Sequence, residues 1–218
     1  MLGHTHGAQR ASRQGSIGSR SRSLGVSLLA ASLLASLIAA PAAASATSTV
    51  RLPAVTPSSY LPAYWYTEEL YILSLTNCTR TGGWVLTDGT CRGYGSGRYS
   101  TYVAPLRYTS GISTLVSRPY AKLLAVKGQC SHFLNGNPGD RLRRAGYTAW
   151  TWGENIGCRD GYTYAKTAVL QSHLNFQSEK STNGGHWKNI KNPSYKWIGI
   201  GVWKYGTRVR LVTDFYSG

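Results

Sequence analysis

The spacing of apolar and polar residues changes along the chain and predicts helices in its first half. A helical period starts near Trp65 and ends before Gly82, and its predicted buried face consists of Leu70, Leu73 and Asn77. A second helix is predicted from Ser110. Pro119 should kink or break that helix, because proline removes a backbone donor. Shorter helical patterns cover residues 141–145, 163–177 and 186–190.

Alternating apolar and polar positions predict strands in the second half of the chain. Residues 147–152 alternate, and residues 197–205 and 208–216 form two stronger alternating runs around Gly206. The last two runs should pair as an antiparallel hairpin. A three-stranded sheet needs cover on its faces, so the pattern predicts an α+β fold. Specifically, it predicts a three-layer α/β/α sandwich around a mainly antiparallel three-stranded sheet.

The N-terminal pattern is that of an export signal. Residues 1–23 are basic without an acid, residues 24–40 are apolar, and small residues continue to Ala46. This layout predicts a signal peptide over residues 1–46, since the apolar run is short for an uncleaved membrane anchor. Residues 47–62 should be a flexible segment rich in proline, serine and threonine, followed by one domain over residues 63–218. The mature protein is then expected to be secreted, extracellular and not membrane-spanning.

The positive charge of the chain favours anionic partners. The formal net charge is +16, and losing the four leader arginines leaves +12 on the mature chain. The basic residues are scattered and form no nucleic-acid motif, so a nucleic-acid partner is not expected. Attraction to anionic cell-envelope polymers or lipid headgroups is expected instead, by a monomeric protein.

Four cysteines predict two disulfides in an exported chain. We predict Cys78–Cys91, which closes a short glycine-rich loop, and Cys130–Cys158, which ties the segment before His132 to the segment after Glu154.

Several phrases in the second half resemble those of one known family. The chain resembles the CAP superfamily of cysteine-rich secretory proteins, antigen 5 and pathogenesis-related proteins, with the look of a bacterial secreted member. The resemblance covers most of the predicted domain and is carried chiefly by Cys130-Ser131-His132, Gly153-Glu154-Asn155-Ile156, Gly185-His186-Trp187 and Ile198-Gly199-Ile200-Gly201.

The resemblance implies a cleft tetrad of two histidines and two glutamates. Carried over position by position, the tetrad is His132, Glu154, Glu179 and His186. Its histidines could hold a divalent metal such as zinc, which can activate water for hydrolysis. The alternative is a hydrogen-bonded network that fixes the cleft without turnover.

The remaining candidate residues favour packing over chemistry. His173 is expected to be a packed helix residue, and Ser131 lacks the sequence context of a hydrolase nucleophile. Five tryptophans are expected in the core or the cleft wall: Trp150, Trp152, Trp187, Trp197 and Trp203. These residues favour a non-enzymatic binding module for a lipid, sterol or cell-envelope ligand. The alternative is a metal-dependent extracellular hydrolase or peptidase that uses the His/Glu cleft.

Overall fold

The computed structural model describes residues 64–218, so the predicted signal peptide and flexible segment lie outside the described residues. The described part has an α+β fold, as the sequence predicts. Its helices are α1 (Tyr66–Arg80), α2 (Ser110–Ile112), α3 (Arg118–Lys127), α4 (Pro138–Arg144), α5 (Ala165–Ser178) and α6 (Gly185–Lys191). Its strands are β1 (Trp84–Val85), β2 (Cys91–Arg92), β3 (Arg107–Tyr108), β4 (Trp152–Arg159), β5 (Trp197–Tyr205) and β6 (Arg208–Tyr216). Between residues 64 and 218, none of the helices combines the length and the apolar character that a membrane crossing requires.

The central sheet has four strands, not the predicted three, in the order β3-β5-β6-β4. The additional strand is β3, which pairs in parallel with the start of β5. It is only two residues long, too short to leave an alternating pattern in the sequence. Strands β4, β5 and β6 are antiparallel, and β1 and β2 form a separate small ribbon.

Successive residues on the long strands point to opposite sides of the sheet, and each side carries a helical layer. On one side, Ile198 and Phe215 pack in the largest apolar cluster, which also contains residues of α1 and α5. On the other side, Val212 packs on Tyr120 and Leu124 of α3. The helices therefore cover both faces of the sheet.

The second predicted helix continues through its proline. A π-helical turn, Ser113–Ser117, joins α2 to α3, and Pro119 lies in the first turn of α3. A missing N–H is tolerated there because first-turn donors have no intrahelical partner. Gly128 ends the helix in a left-handed conformation with φ of 66°.

Two other local predictions were wrong. The first helix forms, but Leu70 is exposed and the buried side chains include Ile72 and Leu75. The strand predicted over residues 147–152 is a loop, and β4 begins where that prediction ended. Both predicted disulfides are confirmed, with Cα–Cα separations of 5.9 Å for Cys78–Cys91 and 6.0 Å for Cys130–Cys158.

Candidate functional site

His132, Glu154 and Arg141 form the first part of the predicted site. Glu154 is in β4 with its side chain only 1% exposed, and one carboxylate oxygen accepts a 2.7 Å hydrogen bond from His132 Nδ1. The other oxygen accepts from the Arg141 guanidinium, which is itself buried in α4. The buried carboxylate is therefore paired with a cation and with an imidazole that remains partly exposed.

The loop that carries His132 is held from several sides. The Cys130–Cys158 bridge fixes its start to the end of β4. Tyr120 donates a 2.5 Å hydrogen bond to the carbonyl of Ser131, and Arg141 donates a 2.9 Å bond to the carbonyl of His132. The Arg141 guanidinium also stacks 3.5 Å over the Tyr120 ring. This loop is anchored by named contacts although it has no regular structure.

Glu179 and His186 form the second part of the predicted site. His186 Nδ1 lies 2.5 Å from one Glu179 oxygen, and the backbone N–H of His186 donates to the other at 2.9 Å. Desolvation alone would raise the pKa of Glu179, but the His186 side chain and the backbone N–H groups of His186 and Trp187 lower it. The His186 ring stacks on Phe176 at a centroid distance of 4.5 Å.

Two asparagines connect the backbones of the two pairs. Asn155, next to Glu154 on β4, donates to the carbonyl of His186 at 3.1 Å. Asn189 of α6 donates to the carbonyl of Glu154 at 3.1 Å and to the Asn155 side chain at 2.8 Å. Both His/Glu pairs are thus attached to β4, an edge strand of the sheet.

The tetrad does not supply a cluster of three metal ligands in the described part of the chain. Among residues 64–218, no three His, Cys, Asp or Glu side chains lie together so that they could hold an ion. Each histidine binds its glutamate through Nδ1, which leaves Nε2 as the nitrogen that could bind a metal. The residues present thus supply two imidazoles, each oriented by its own glutamate, and fall short of the three protein ligands of a catalytic zinc site.

Asp214 is a site residue that sequence reasoning missed. It is a cross-strand neighbour of Glu154, is fully buried, and accepts a 2.6 Å hydrogen bond from Ser117 through Oδ2. Its Oδ1 has no hydrogen-bond partner among the described residues. Burial, followed by the charge of Glu154, raises the pKa of Asp214 to about 8. An acid within the apolar run of β6 was the available signal, whereas nothing distinguished Arg141 among the scattered basic residues.

A groove lies beside the first pair, between α3 and α4. Its volume is about 260 Å³. One wall is largely apolar and the other carries two cations, and the lining residues are Leu115, Val116, Pro119, Tyr120, Leu123, Asn135, Arg141, Arg144 and Ala145. A second concavity of about 320 Å³ continues the apolar wall along α3, and it is lined by Pro119, Lys122, Leu123 and Val126. The two concavities share Pro119 and Leu123 and together form one groove along α3.

The cations of this groove differ in their pairing. Arg141 is neutralised by Glu154. Arg144 is exposed and donates to the carbonyl of Asn135 at 2.9 Å, with no carboxylate within salt-bridge distance among the described residues. Since no acid lines either concavity, the uncompensated charge at the groove is positive.

The other candidate residues have clear places. His173 is fully buried, as predicted, and burial lowers its pKa to about 3. Ser131 accepts a hydrogen bond from the Phe133 N–H at 3.1 Å. Trp187 is buried, as predicted, whereas Trp150 is 98% exposed, so its assignment to the core or the cleft wall was wrong.

Known proteins resemble this chain in fold more than in sequence. No protein-family model and no curated protein matches it. A solved extracellular protein from Bacillus anthracis, described as containing an SCP domain, is 18% identical with a TM-score of 0.50. The likeness covers 70% of this chain and 41% of the Bacillus chain, so this chain corresponds to less than half of that protein.

Two further solved structures give weaker likenesses. One is the protein NaASP2, whose structure was determined with Zn²⁺; it is 14% identical, with a TM-score of 0.46, over 74% of this chain and 83% of the other. The other is a cysteine-rich secretory protein from Staphylococcus aureus, 15% identical, with a TM-score of 0.41, over 72% of this chain and 40% of the other. At these identities the likeness to solved structures is one of fold.

Proposed function

We propose that this chain, whose fold is the SCP fold of the CAP superfamily as its motifs predicted, is an extracellular binding module for an anionic amphiphile of a cell envelope. The observation that carries the proposal is the groove along α3, which we call the lipid groove and whose apolar wall faces Arg144, a cation without a salt bridge among the described residues. An acyl chain can cover the apolar wall while its anionic head reaches the guanidinium. A sterol offers the apolar body without the charge, so an acidic lipid fits better.

The geometry of Glu154 supports binding over catalysis. Both of its carboxylate oxygens are occupied, one by His132 and one by Arg141, and its side chain is almost fully buried. A general base needs to reach the proton that it removes. Glu154 instead orients His132 and holds Arg141 against Tyr120 at the side of the groove.

The proposal is tested by ligands that share one tail and differ in the head. Laurate, dodecanol and dodecyltrimethylammonium are titrated into the folded protein, below their micellar concentrations, by calorimetry. Laurate should bind saturably, dodecanol more weakly, and the cationic ligand not at all. Absence of saturable laurate binding, or equal binding of all three ligands, would contradict the proposal.

A matched pair of variants places the ligand in the groove. Leu115 and Leu70 are 42% and 39% exposed, but only Leu115 lines the groove. Leu115→Gln should weaken laurate binding about fivefold, because it removes apolar contact with the tail, and Leu70→Gln should not. Equal effects of the two variants would place the ligand elsewhere.

A metal-dependent extracellular hydrolase is the second candidate function. The observation that favours it is that His132 and His186 each bind a glutamate through Nδ1, an arrangement that commonly orients metal-binding imidazoles. It predicts stoichiometric zinc binding that is lost in His132→Ala and His186→Ala. Calorimetry that shows no zinc binding to the wild-type protein would remove this candidate.

A further inference from the structure

A row of aromatic side chains crosses one end of the central sheet. Trp152, Tyr216 and Trp197 occupy paired positions on β4, β6 and β5, and we call them the aromatic row. Since paired residues on neighbouring strands point to the same face, the three rings lie side by side. The rings of Tyr147 and Tyr216 meet edge to face at 5.5 Å.

Two cavities border this row, and Tyr147 lines both of them. The first, of about 270 Å³, is lined by Trp150, Trp152 and Tyr147 together with Arg143 and Thr148. The second, of about 180 Å³, is lined by Tyr147 and by Trp197 and Tyr216 of the row. The two cavities are neighbours because Tyr147 lines both, and the rings that border them are the exposed Trp150 and the half-buried Tyr147, Trp152 and Trp197, whereas Tyr216 is buried beneath them.

Trp150 is presented to solvent at the first cavity by a tethered loop. Its side chain is 98% exposed, which is unusual for the largest apolar side chain. The adjacent Ala149 N–H donates a 2.7 Å hydrogen bond to the hydroxyl of Tyr216. This bond attaches the loop to the aromatic row, so an extended ligand would meet Trp150 without first having to order the loop backbone.

Arginines border the aromatic row at both ends. The Arg107 guanidinium lies 5.6 Å from the centre of the Trp197 ring, and Arg107 is exposed without a salt bridge among the described residues. Arg143 lines the first cavity and pairs with Asp140 at the surface. A second copy of this chain is disfavoured as the ligand of this surface, because the chain carries a net positive charge that would repel Arg107 and Arg143.

We propose that the aromatic row and its two cavities form a binding site for an anionic glycan chain. Aromatic faces carry negative charge density, so they attract the weakly positive C–H faces of sugar rings. Arg107 and Arg143 supply cations for carboxylate or phosphate substituents of the glycan. The site shares neither cavity with the lipid groove, and it does not depend on lipid binding.

The test uses two polysaccharides with the same β-1,4-glucan backbone. Carboxymethylcellulose is anionic and hydroxyethylcellulose is neutral, so their comparison separates charge from stacking. Wild-type protein and variants run in native affinity gels towards the cathode, and the retardation gives a dissociation constant for each polysaccharide. The wild-type protein should bind both and should bind the anionic one more tightly.

Substitution of the exposed tryptophan is the decisive variant. Trp150→Ala should weaken binding to both polysaccharides about fivefold without loss of stability, because the side chain is exposed. Tyr164→Ala is the control, since Tyr164 is 73% exposed at the start of α5, on the other side of the sheet. Arg143→Gln should weaken only the anionic interaction, and Arg144→Gln should affect neither.

Three outcomes would overturn the glycan site. The first is no retardation of the wild-type protein by either polysaccharide. The second is that Trp150→Ala binds both polysaccharides as tightly as the wild-type protein, which would mean that the net charge of the protein, and not the aromatic row, accounts for the binding. The third is a change in tryptophan fluorescence that a proline-rich peptide causes in the wild-type protein but not in Trp150→Ala, and that neither polysaccharide causes, which would assign the row to a peptide partner.

Discussion

At the scale of single residues, Asp214 is a buried acid whose hydrogen-bonding capacity is only partly used among the described residues. It is fully buried beside Glu154, with one oxygen bonded to Ser117 and the other without a partner among the described residues. Arg141 is the nearby compensating cation, but its guanidinium pairs with Glu154. The raised pKa means that the folded protein holds a proton on Asp214 that the unfolded chain releases.

This proton makes stability depend on pH in a defined direction. Because the folded pKa, about 8, exceeds the ordinary value of 3.8, the contribution is fully present below about pH 4 and is lost as pH rises towards 8. The slope from this group is at most about 1.4 kcal/mol per pH unit. Asp214→Asn should remove it. Urea unfolding of both proteins from pH 5 to 8 checks this, and parallel stability profiles would contradict it.

At the scale of elements, sequence patterns predicted the two long strands whose apolar residues alternate, misplaced β4 and missed the two-residue strands. The bounds of β5 and β6 were predicted to the residue, because their apolar residues alternate around Gly206. Strand β4 contains Gly153 and Gly157, which weaken its strand pattern. A Cβ at Gly157 would lie 2.4 Å from the Ser172 hydroxyl, so the close packing of α5 on β4 requires glycine at this position. The same glycine weakens the sequence pattern by which β4 could have been predicted.

The candidate site likewise contains residues that sequence motifs predict and residues that only the packing of distant elements brings together. The family resemblance predicted the four residues of both His/Glu pairs, and the number and positions of the cysteines predicted both disulfides. Arg141 and the Asn155/Asn189 link depend on the packing of α4 and α6 against β4, which no local spacing encodes. The lipid groove likewise arises between α3 and α4, which a loop separates in the sequence.

The two disulfides should differ in their effect on the site. In the chain-entropy view, loops of 28 and 13 residues give about 3.5 and about 3 kcal/mol of stability, respectively. Only Cys130–Cys158 anchors the His132 loop. Its replacement by serines should therefore also shift the NMR signals of the His132 ring, and replacement of Cys78–Cys91 should not. Unchanged His132 signals in the first variant would contradict this assignment.

At the scale of the whole molecule, one side of the sheet carries both proposed binding surfaces. The lipid groove and the aromatic row both lie on the α2–α3–α4 side, and α4 contributes to each. Its consecutive residues Arg143 and Arg144 line different cavities. Together with the net positive charge, this arrangement suits a module that meets an anionic envelope with one face.

The most direct test of the central claim compares these two neighbouring arginines. Arg143→Gln and Arg144→Gln each remove one exposed positive charge from the end of α4, and calorimetry gives the laurate dissociation constant of each. Loss of a charge-assisted bond to the carboxylate should weaken binding about tenfold in Arg144→Gln. Arg143→Gln should stay within about twofold of the wild-type protein, because only net charge changes. Equal dissociation constants for the two variants would contradict an anionic-lipid site in the groove.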